Sequence, residues 1–270
     1  SEGKILEDKD NGKVVILEKA DVRRSGAGGP GCDHWCNVPG NPCSRVDPDT
    51  WAIAEMEAGG DFANGIGIQI QCREDWDTLQ EMELMGGKIR DTEDEFLGVE
   101  GRDDKTKLMF SPRYSAHAGL GLPPTYGEEN FNPPEKRNNM VIRIWGSTFK
   151  PALKKECLRL GVNVLDRVMA TSLLNEDGVQ GKRIVGATGL NVRTGEFVVV
   201  KAKATIISAG GSGNMWFMDM EHGGYSSMYS RANSSDGTAM AWRAGAKLTM
   251  MEGRSPSPPA PRRGGQRGTR

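Results

Sequence analysis

The sequence predicts an α/β fold, with a parallel sheet and an inserted antiparallel β-ribbon, on three observations. Val14-Val15-Ile16-Leu17 is an unbroken aliphatic run closed by Glu18, the pattern of a parallel strand buried on both faces. Between residues 140 and 165 an apolar run, a helical pattern and a second apolar run follow one another, the order of a strand–helix–strand unit. Ile184 to Val192 and Glu196 to Lys201 then flank Arg193-Thr194-Gly195, which reads as a hairpin around a glycine-bearing turn.

The remaining elements follow in chain order. Arg24 to Gly31 reads Arg-Ser-Gly-Ala-Gly-Gly-Pro-Gly, too rich in glycine for a regular element and suited to close approach of backbone to a ligand. Pro39 to Pro48 is loop, and Asp49 or Thr50 caps a helix running through Trp51 to Met56. A second helix covers about Asp75 to Met85 and stops at Gly86-Gly87. Asp91 to Asn139 carries many charges, two Pro-Pro pairs and little periodicity, so residues 60–139 read as an irregular and partly helical surface excursion. Met140 to Ile144 is a strand. Ser147 caps a helix that runs to Leu160 and is stopped by Gly161, with Phe149, Leu153, Cys157 and Leu160 as its apolar face. Strands at Val162 to Leu165 and Val168 to Leu174 precede the hairpin. Ala204 to Gly211 reads as a buried strand running into a glycine pair. Asp236-Gly237 opens a helix over Thr238 to Arg243, and Lys247 to Met251 looks like the start of another strand.

Composition narrows the function classes. With 270 residues the chain can bury one sizeable core or two modest ones. Lys and Arg number 35 against 36 Asp and Glu, which removes a whole-chain electrostatic case for nucleic acid or anionic membrane. The last stretch, from Gly253, holds five arginines and no acid, leaving 30 basic against 36 acidic residues in the body. That stretch has almost nothing to bury and should be disordered; it lacks the aromatic groups of a nucleic-acid-binding segment. No apolar run approaches the ~20 residues of a membrane span, so the expectation is a cytoplasmic protein without direct membrane insertion. Five cysteines form an odd set, which suits reduced thiols better than a disulfide framework.

A strand that ends in an acid before a glycine-rich loop is half of a dinucleotide-binding unit, because the carboxylate accepts from adenosine ribose hydroxyls. Glu18 occupies that position; the alternative is a mere strand-end acid, and no G-x-G-x-x-G turn precedes it. Cys32, His34, Cys36 and Cys43 could supply metal ligands, but their spacing matches no standard site, and no metal is expected. His34 follows the glycine loop closely enough to donate or relay a proton, or to be an ordinary loop histidine. The wide separation of Trp35, Trp145, Trp216 and Trp242 favours core packing over a stacking platform.

Five segments taken together carry a family pattern: Val-Ile-Leu-Glu-Lys-Ala (15–20), Arg-Ser-Gly-Ala-Gly-Gly (24–29), Gly-Ser-Thr-Phe-Lys-Pro (146–151), Ala-Thr-Ile-Ile-Ser-Ala-Gly-Gly (204–211) and Ser-Asp-Gly-Thr-Ala-Met-Ala-Trp-Arg-Ala-Gly-Ala (235–246). In this order they resemble the flavoprotein subunits of the succinate dehydrogenase and fumarate reductase superfamily, near the alpha chain of adenylylsulfate reductase. The resemblance implies a Rossmann-like FAD-binding domain over residues 1–252, incomplete and lacking the family's capping domain, as in a piece of a larger flavoprotein. Glu18 would then bind the adenosine ribose of FAD, with Lys19 beside it. Ser25, Gly26, Ala27, Gly28 and Gly29 would pass under the pyrophosphate and flavin, and backbone groups of Val168 or Met169 would contact the adenine. Ser208, Ala209, Gly210 and Gly211 would pack against the dinucleotide, and Asp236 and Gly237 would open the helix nearest the flavin. Where fumarate reductases carry a histidine bonded to the flavin, Ser25-Gly26-Ala27 has none, so FAD should be non-covalent. The implied activity is FAD-dependent oxidoreduction of a small polar substrate, and the implied partner is an iron–sulfur electron-transfer subunit; the alternative is a non-catalytic FAD-binding fragment or interaction module.

Overall fold

A computed structural model describes residues 4–6, 14–26, 28–29, 31, 34–35, 38–58, 64–110, 139–210 and 234–249. Three sheets organise them. The largest has strand order β1-β9-β8-β7, built from β1 (Lys4–Leu6), β7 (Val168–Asn175), β8 (Ile184–Asn191) and β9 (Phe197–Lys201). Its β7-β8-β9 part is the antiparallel ribbon, and β1 adds to β9 in parallel. The turn between β8 and β9 forms as expected: the Asn191 side-chain oxygen accepts from the Arg193 and Thr194 N–H groups at 3.0 and 3.2 Å, and Gly195 takes the left-handed conformation that closes it.

The parallel sheet consists of β2 (Val15–Glu18) paired with β6 (Asn163–Asp166), joined through the helix α3 (Phe149–Arg159). This sheet packs on the ribbon, where Val168, Val198 and Val200 form a buried cluster with Val15, Leu17 and Leu165 against it. Gly189 in β8 faces this cluster, where a Cβ would meet Val168 Cγ1 of the neighbouring strand β7 at 2.7 Å, so the packing within the ribbon excludes a side chain there. The expectation that β2 is buried on both faces fails: its four residues are half-buried and Val14 is 56% exposed. Among the described residues β6 is its one ladder partner.

A third sheet, order β3-β5-β4, is antiparallel and was not expected. It joins β3 (His34–Trp35), β5 (Ile142–Arg143) and β4 (Met109–Phe110). Met140 to Ile144 therefore contributes only two residues of strand. Ile142 and Phe110 enter a core with Val38, Leu79, Met82, Ile89, Leu108, Ile144 and Phe149. Leu79 and Met82 come from the helix α2 (Gly65–Leu84), and the helix α1 (Pro48–Ala58) packs on α2 through a second cluster that includes Trp51, Ala52 and Cys72.

Several boundaries differ from the sequence reading for local reasons. The cap of α1 is Asp47, whose Oδ1 accepts from the Asp49 and Thr50 N–H groups, and Pro48 is the first helical residue, where its missing N–H costs nothing. Helix α2 starts ten residues earlier than expected, because Asn64 accepts from Gly67 N–H and caps it. A 3-10 turn at Gly146–Thr148 leads into α3, so Thr148 rather than Ser147 precedes the helix. Only the first turn of α3 reaches the core: Phe149 is buried, while Leu153 and Leu160 are exposed. Within the surface excursion, Asp91 is fully buried and its carboxylate accepts from the Glu95 and Phe96 N–H groups and from Arg102 Nε at 2.8 Å, which folds residues 91–108 into a tight turn.

Two predicted strands are absent. Residues 204–210 have no strand pairing and are exposed, Ile206 by 91%, because no described strand lies alongside to complete a ladder. Residues 247–249 likewise form no strand. The helix expected after Asp236-Gly237 is present as α4 (Asp236–Arg243), with Trp242 at 64% exposure rather than in a core. Gly211, Trp216 and the stretch from Gly253 lie outside the described residues.

Candidate functional site

The C-terminal ends of β2 and β6, the glycine loop after β2 and the first turns of α3 and α4 meet on one side of the parallel sheet. Ligands of open α/β sheets bind at such strand ends. Glu18 closes β2, and its Oε1 accepts from Ala20 N–H at 2.8 Å, which turns the chain out of the sheet and leaves the carboxylate further acceptor capacity. Ala20 in turn accepts from Arg167 N–H at 2.8 Å. Arg167, between β6 and β7, and Ser235, before α4, both hold positive φ without being glycine, a conformation concentrated at functional sites.

A set of side chains fixes the loop. The Asp21 carbonyl accepts from the Arg24 and Ser25 N–H groups at 3.0 and 2.9 Å, and the Arg23 guanidinium holds the Asp21 carboxyl well below the usual range. Asp166 Oδ1 takes the Val22 N–H at 2.7 Å, while Lys154 Nζ lies 2.8 Å from the other Asp166 oxygen. Arg24 Nη1 donates to the Ser147 carbonyl at 2.9 Å. Lys150, in the first turn of α3, donates to the Ser25 carbonyl oxygen and, at 3.0 Å, to Ser25 Oγ.

The glycines have two different reasons to be there. Gly29 is buried, and a Cβ on it would lie 1.9 Å from the Arg24 carbonyl oxygen, so the protein itself excludes a side chain. Gly26 has φ +66° and a Cβ there would meet nothing within 4 Å, so its side of the loop faces open space. The loop is thus packed behind and open in front.

Across the site, Lys19 Nζ donates to Asp236 Oδ2 at 3.1 Å, joining the end of β2 to the start of α4 over 217 residues of sequence. This bond, with that from Ser234 Oγ, holds the Asp236 carboxyl below its ordinary value. Gly237 lets residues 204–210 lie against α4: a Cβ there would meet Ile207 Cγ2 at 2.7 Å and Ala209 Cβ at 3.0 Å.

The structure therefore brings Glu18, Lys19, Ala209, Asp236 and Gly237 into one neighbourhood and ties Ser25, Gly26, Gly28 and Gly29 to α3. Ser208 and Gly210 are exposed in the segment leading to it. Val168 spends its side chain in the core under the ribbon, and Met169 follows it in β7. Ala27 and Gly211 lie outside the described residues. His34 sits in β3 opposite Arg143, five residues after Gly29, while the neighbouring Trp35 ring packs on Phe149 at 5.8 Å. Cys32 and Cys36 are outside the described residues, and Cys43 Sγ sits 3.5 Å from Thr106 Oγ1. Among the described residues no group of three or more metal-ligating side chains forms, and no helix is long and apolar enough to cross a membrane. The sequence reading missed Lys150, Lys154, Asp166 and Arg24; the four-residue spacing of Lys150 and Lys154 on one helix face was the available signal.

Residues 143–263 match the family model described as FAD binding domain. Over 104 residues the chain is 38% identical to one of the subunits of the fumarate reductase (CoM/CoB) of Methanothermobacter marburgensis, a match covering 37% of this chain and 16% of that protein. Over 250 residues it is 28% identical to the alpha chain of the adenylylsulfate reductase of Megalodesulfovibrio gigas, covering 90% of this chain and 34% of that one. The chain is thus similar, over part of its length, to FAD-binding flavoproteins of the fumarate reductase and adenylylsulfate reductase kind. Its fold agrees: the structure of adenylylsulfate reductase from Archaeoglobus fulgidus superposes with a TM-score of 0.63 at 20% identity, covering 87% of this chain and 32% of that one. The Mycobacterium smegmatis Sdh1 complex gives 0.59, again at 20% identity, over 86% of this chain and 34% of that one. The flavoprotein spans between a sixth and about a third of the length of these curated relatives. Its cofactor is FAD, and the open-fronted glycine loop beside an acid at a strand end fits that group.

Proposed function

We propose that this flavoprotein holds FAD non-covalently in residues 1–252 and serves an oxidoreductase that moves an electron pair to or from a small polar substrate. The observation that carries the reading is the Lys19–Asp236 bond, which unites the strand-end acid segment with the Asp-Gly helix beside the clamped glycine loop. In this reading Glu18 accepts from the adenosine ribose, with Lys19 flanking it. The backbone of Ser25, Gly26, Ala27, Gly28 and Gly29 receives the pyrophosphate and flavin, and Val168 or Met169 offers backbone groups to the adenine. Ser208, Ala209, Gly210 and Gly211 pack along the dinucleotide, and Asp236 and Gly237 sit nearest the flavin. His34 holds or relays a proton beside the loop. When bound, FAD supplies the two-electron redox chemistry, and the protein supplies orientation and electrostatics. The adenylylsulfate reductase and fumarate reductase relatives are named as subunits, which supports a partner subunit; in this reading that partner carries iron–sulfur centres for onward electron transfer.

The test reduces the FAD-loaded chain anaerobically and follows the flavin absorbance on adding fumarate or adenylylsulfate. Reoxidation by one of these faster than by buffer supports the oxidoreductase reading. Equal rates throughout contradict catalysis by this chain.

A further inference from the structure

We propose that Lys150 is a positioning residue of the FAD site, holding the glycine loop through Ser25 in the shape that receives a pyrophosphate; the proposal rests on the FAD reading above. The sequence places Lys150 in an ordinary amphipathic helix, where a lysine normally covers a solvated face. Instead it turns inward, half-buried at the first turn of α3, and spends two of its three donors on the backbone carbonyl and hydroxyl of one loop residue. Burial pushes its ammonium down in pKa, opposed by the Glu18 and Asp21 carboxylates. A half-buried cation behind the loop also favours an anion in front of it, offsetting the repulsion from the nearby Glu18 and Asp21 carboxylates.

The contacts around it show that the clamp is a built feature. Gly31 packs so closely on the turn before α3 that a Cβ would lie 2.6 Å from Ser147 N, and Arg24 bonds the Ser147 carbonyl at 2.9 Å. The two ends of the loop are therefore fixed at Arg24 and Gly31, and Lys150 holds Ser25, immediately before the left-handed Gly26. Without Lys150 the Ser25 carbonyl loses its charged donor, and the conformation entering Gly26 is no longer fixed. Lys150 acts through Ser25 and is not assigned to the reaction itself.

The test compares the full chain with Lys150→Met, Lys150→Arg and Ser25→Ala, using FAD, ADP and adenosine as probes. Loss of a charge-assisted hydrogen bond corresponds to about a tenfold to hundredfold weakening, so FAD and ADP should bind Lys150→Met at least about tenfold less tightly. Adenosine, which carries no phosphate, should bind unchanged, and Lys150→Arg should recover most of the loss. Ser25→Ala removes one acceptor without touching α3 and should weaken FAD and ADP by a smaller factor. Added to Lys150→Met it should weaken them no further, because both act on one contact. Equal FAD affinity in all variants, or a loss shared equally by adenosine, overturns the proposal. An unaltered chain that binds neither FAD nor ADP removes the parent reading and this proposal with it, whereas an unaltered chain that binds both, with Lys150→Met unchanged, removes this proposal alone.

Discussion

Asp75→Asn should make the protein more stable at neutral pH. Asp75 lies in α2 with 9% of its surface exposed, accepting from the Trp35 indole N–H and, at 3.4 Å, from Gln71 Nε2. Burial raises its pKa from 3.8 to about 6, and these two hydrogen bonds only partly oppose that. The folded state thus binds the proton more tightly than the unfolded chain does. Stability falls as pH rises from about 4 to about 6 and then levels off, with the carboxylate charged in both states. The difference in pKa corresponds to about 3 kcal/mol of destabilisation above pH 6, an upper figure because buried carboxylates relax. Asparagine keeps an acceptor for Trp35 without the charge. Urea unfolding across pH 4 to 8 should therefore show the two proteins converging at pH 4 and separating by up to about 3 kcal/mol at pH 8, or about 6–12 °C in Tm. Parallel pH profiles, or an asparagine variant less stable than the parent at pH 8, would refute the reasoning. Because Trp35 is the strand neighbour of His34, the same titration tests how firmly that strand is held.

Other outcomes follow from the same geometry. Gly29→Ala sets a Cβ against the Arg24 carbonyl, so the loop must shift; FAD affinity measured by flavin fluorescence should fall at least about tenfold, with the ribbon's far-ultraviolet signal intact. Ile206→Lys should change stability by no more than about 0.5 kcal/mol, whereas Val200→Ala, in the core under the ribbon, should cost about 2 kcal/mol in denaturant unfolding. Burial pushes the Asp91 carboxyl up, but the Phe96 N–H, Arg102 and Glu95 N–H outweigh it and hold it below the ordinary value. That contribution is present above pH 4 and lost as pH falls through the lowered pKa, so Asp91→Ala should lower Tm at pH 7 and narrow its gap to the parent on strong acidification.

Elements whose signal is local could be read from the sequence. β6, β7, β8 and β9 appear within a residue or two of their predicted spans, because β-branched runs and the Arg-Thr-Gly turn specify them without reference to distant residues. The sheet of β3, β4 and β5 could not, since two-residue strands have no periodicity and exist only through pairing of residues 34–35, 109–110 and 142–143. Residues 204–210 show the reverse failure: an apolar run predicts burial, but a strand also needs a neighbour to receive its backbone hydrogen bonds. In the site, Glu18 and the glycines announce themselves by type and order. Lys150 does not, because nothing in a helical lysine says that it bonds a residue 125 positions away. The Lys19–Asp236 contact is likewise a product of the fold alone.

The central claim, that this chain holds FAD without a covalent bond, is tested most directly by loading the purified chain with FAD, removing excess and recording its visible absorbance, then denaturing it and measuring flavin in the protein-free fraction. One FAD per chain, released completely on denaturation, is the predicted result. A folded chain that retains no flavin after loading, or one whose flavin stays with the denatured protein, would contradict the account.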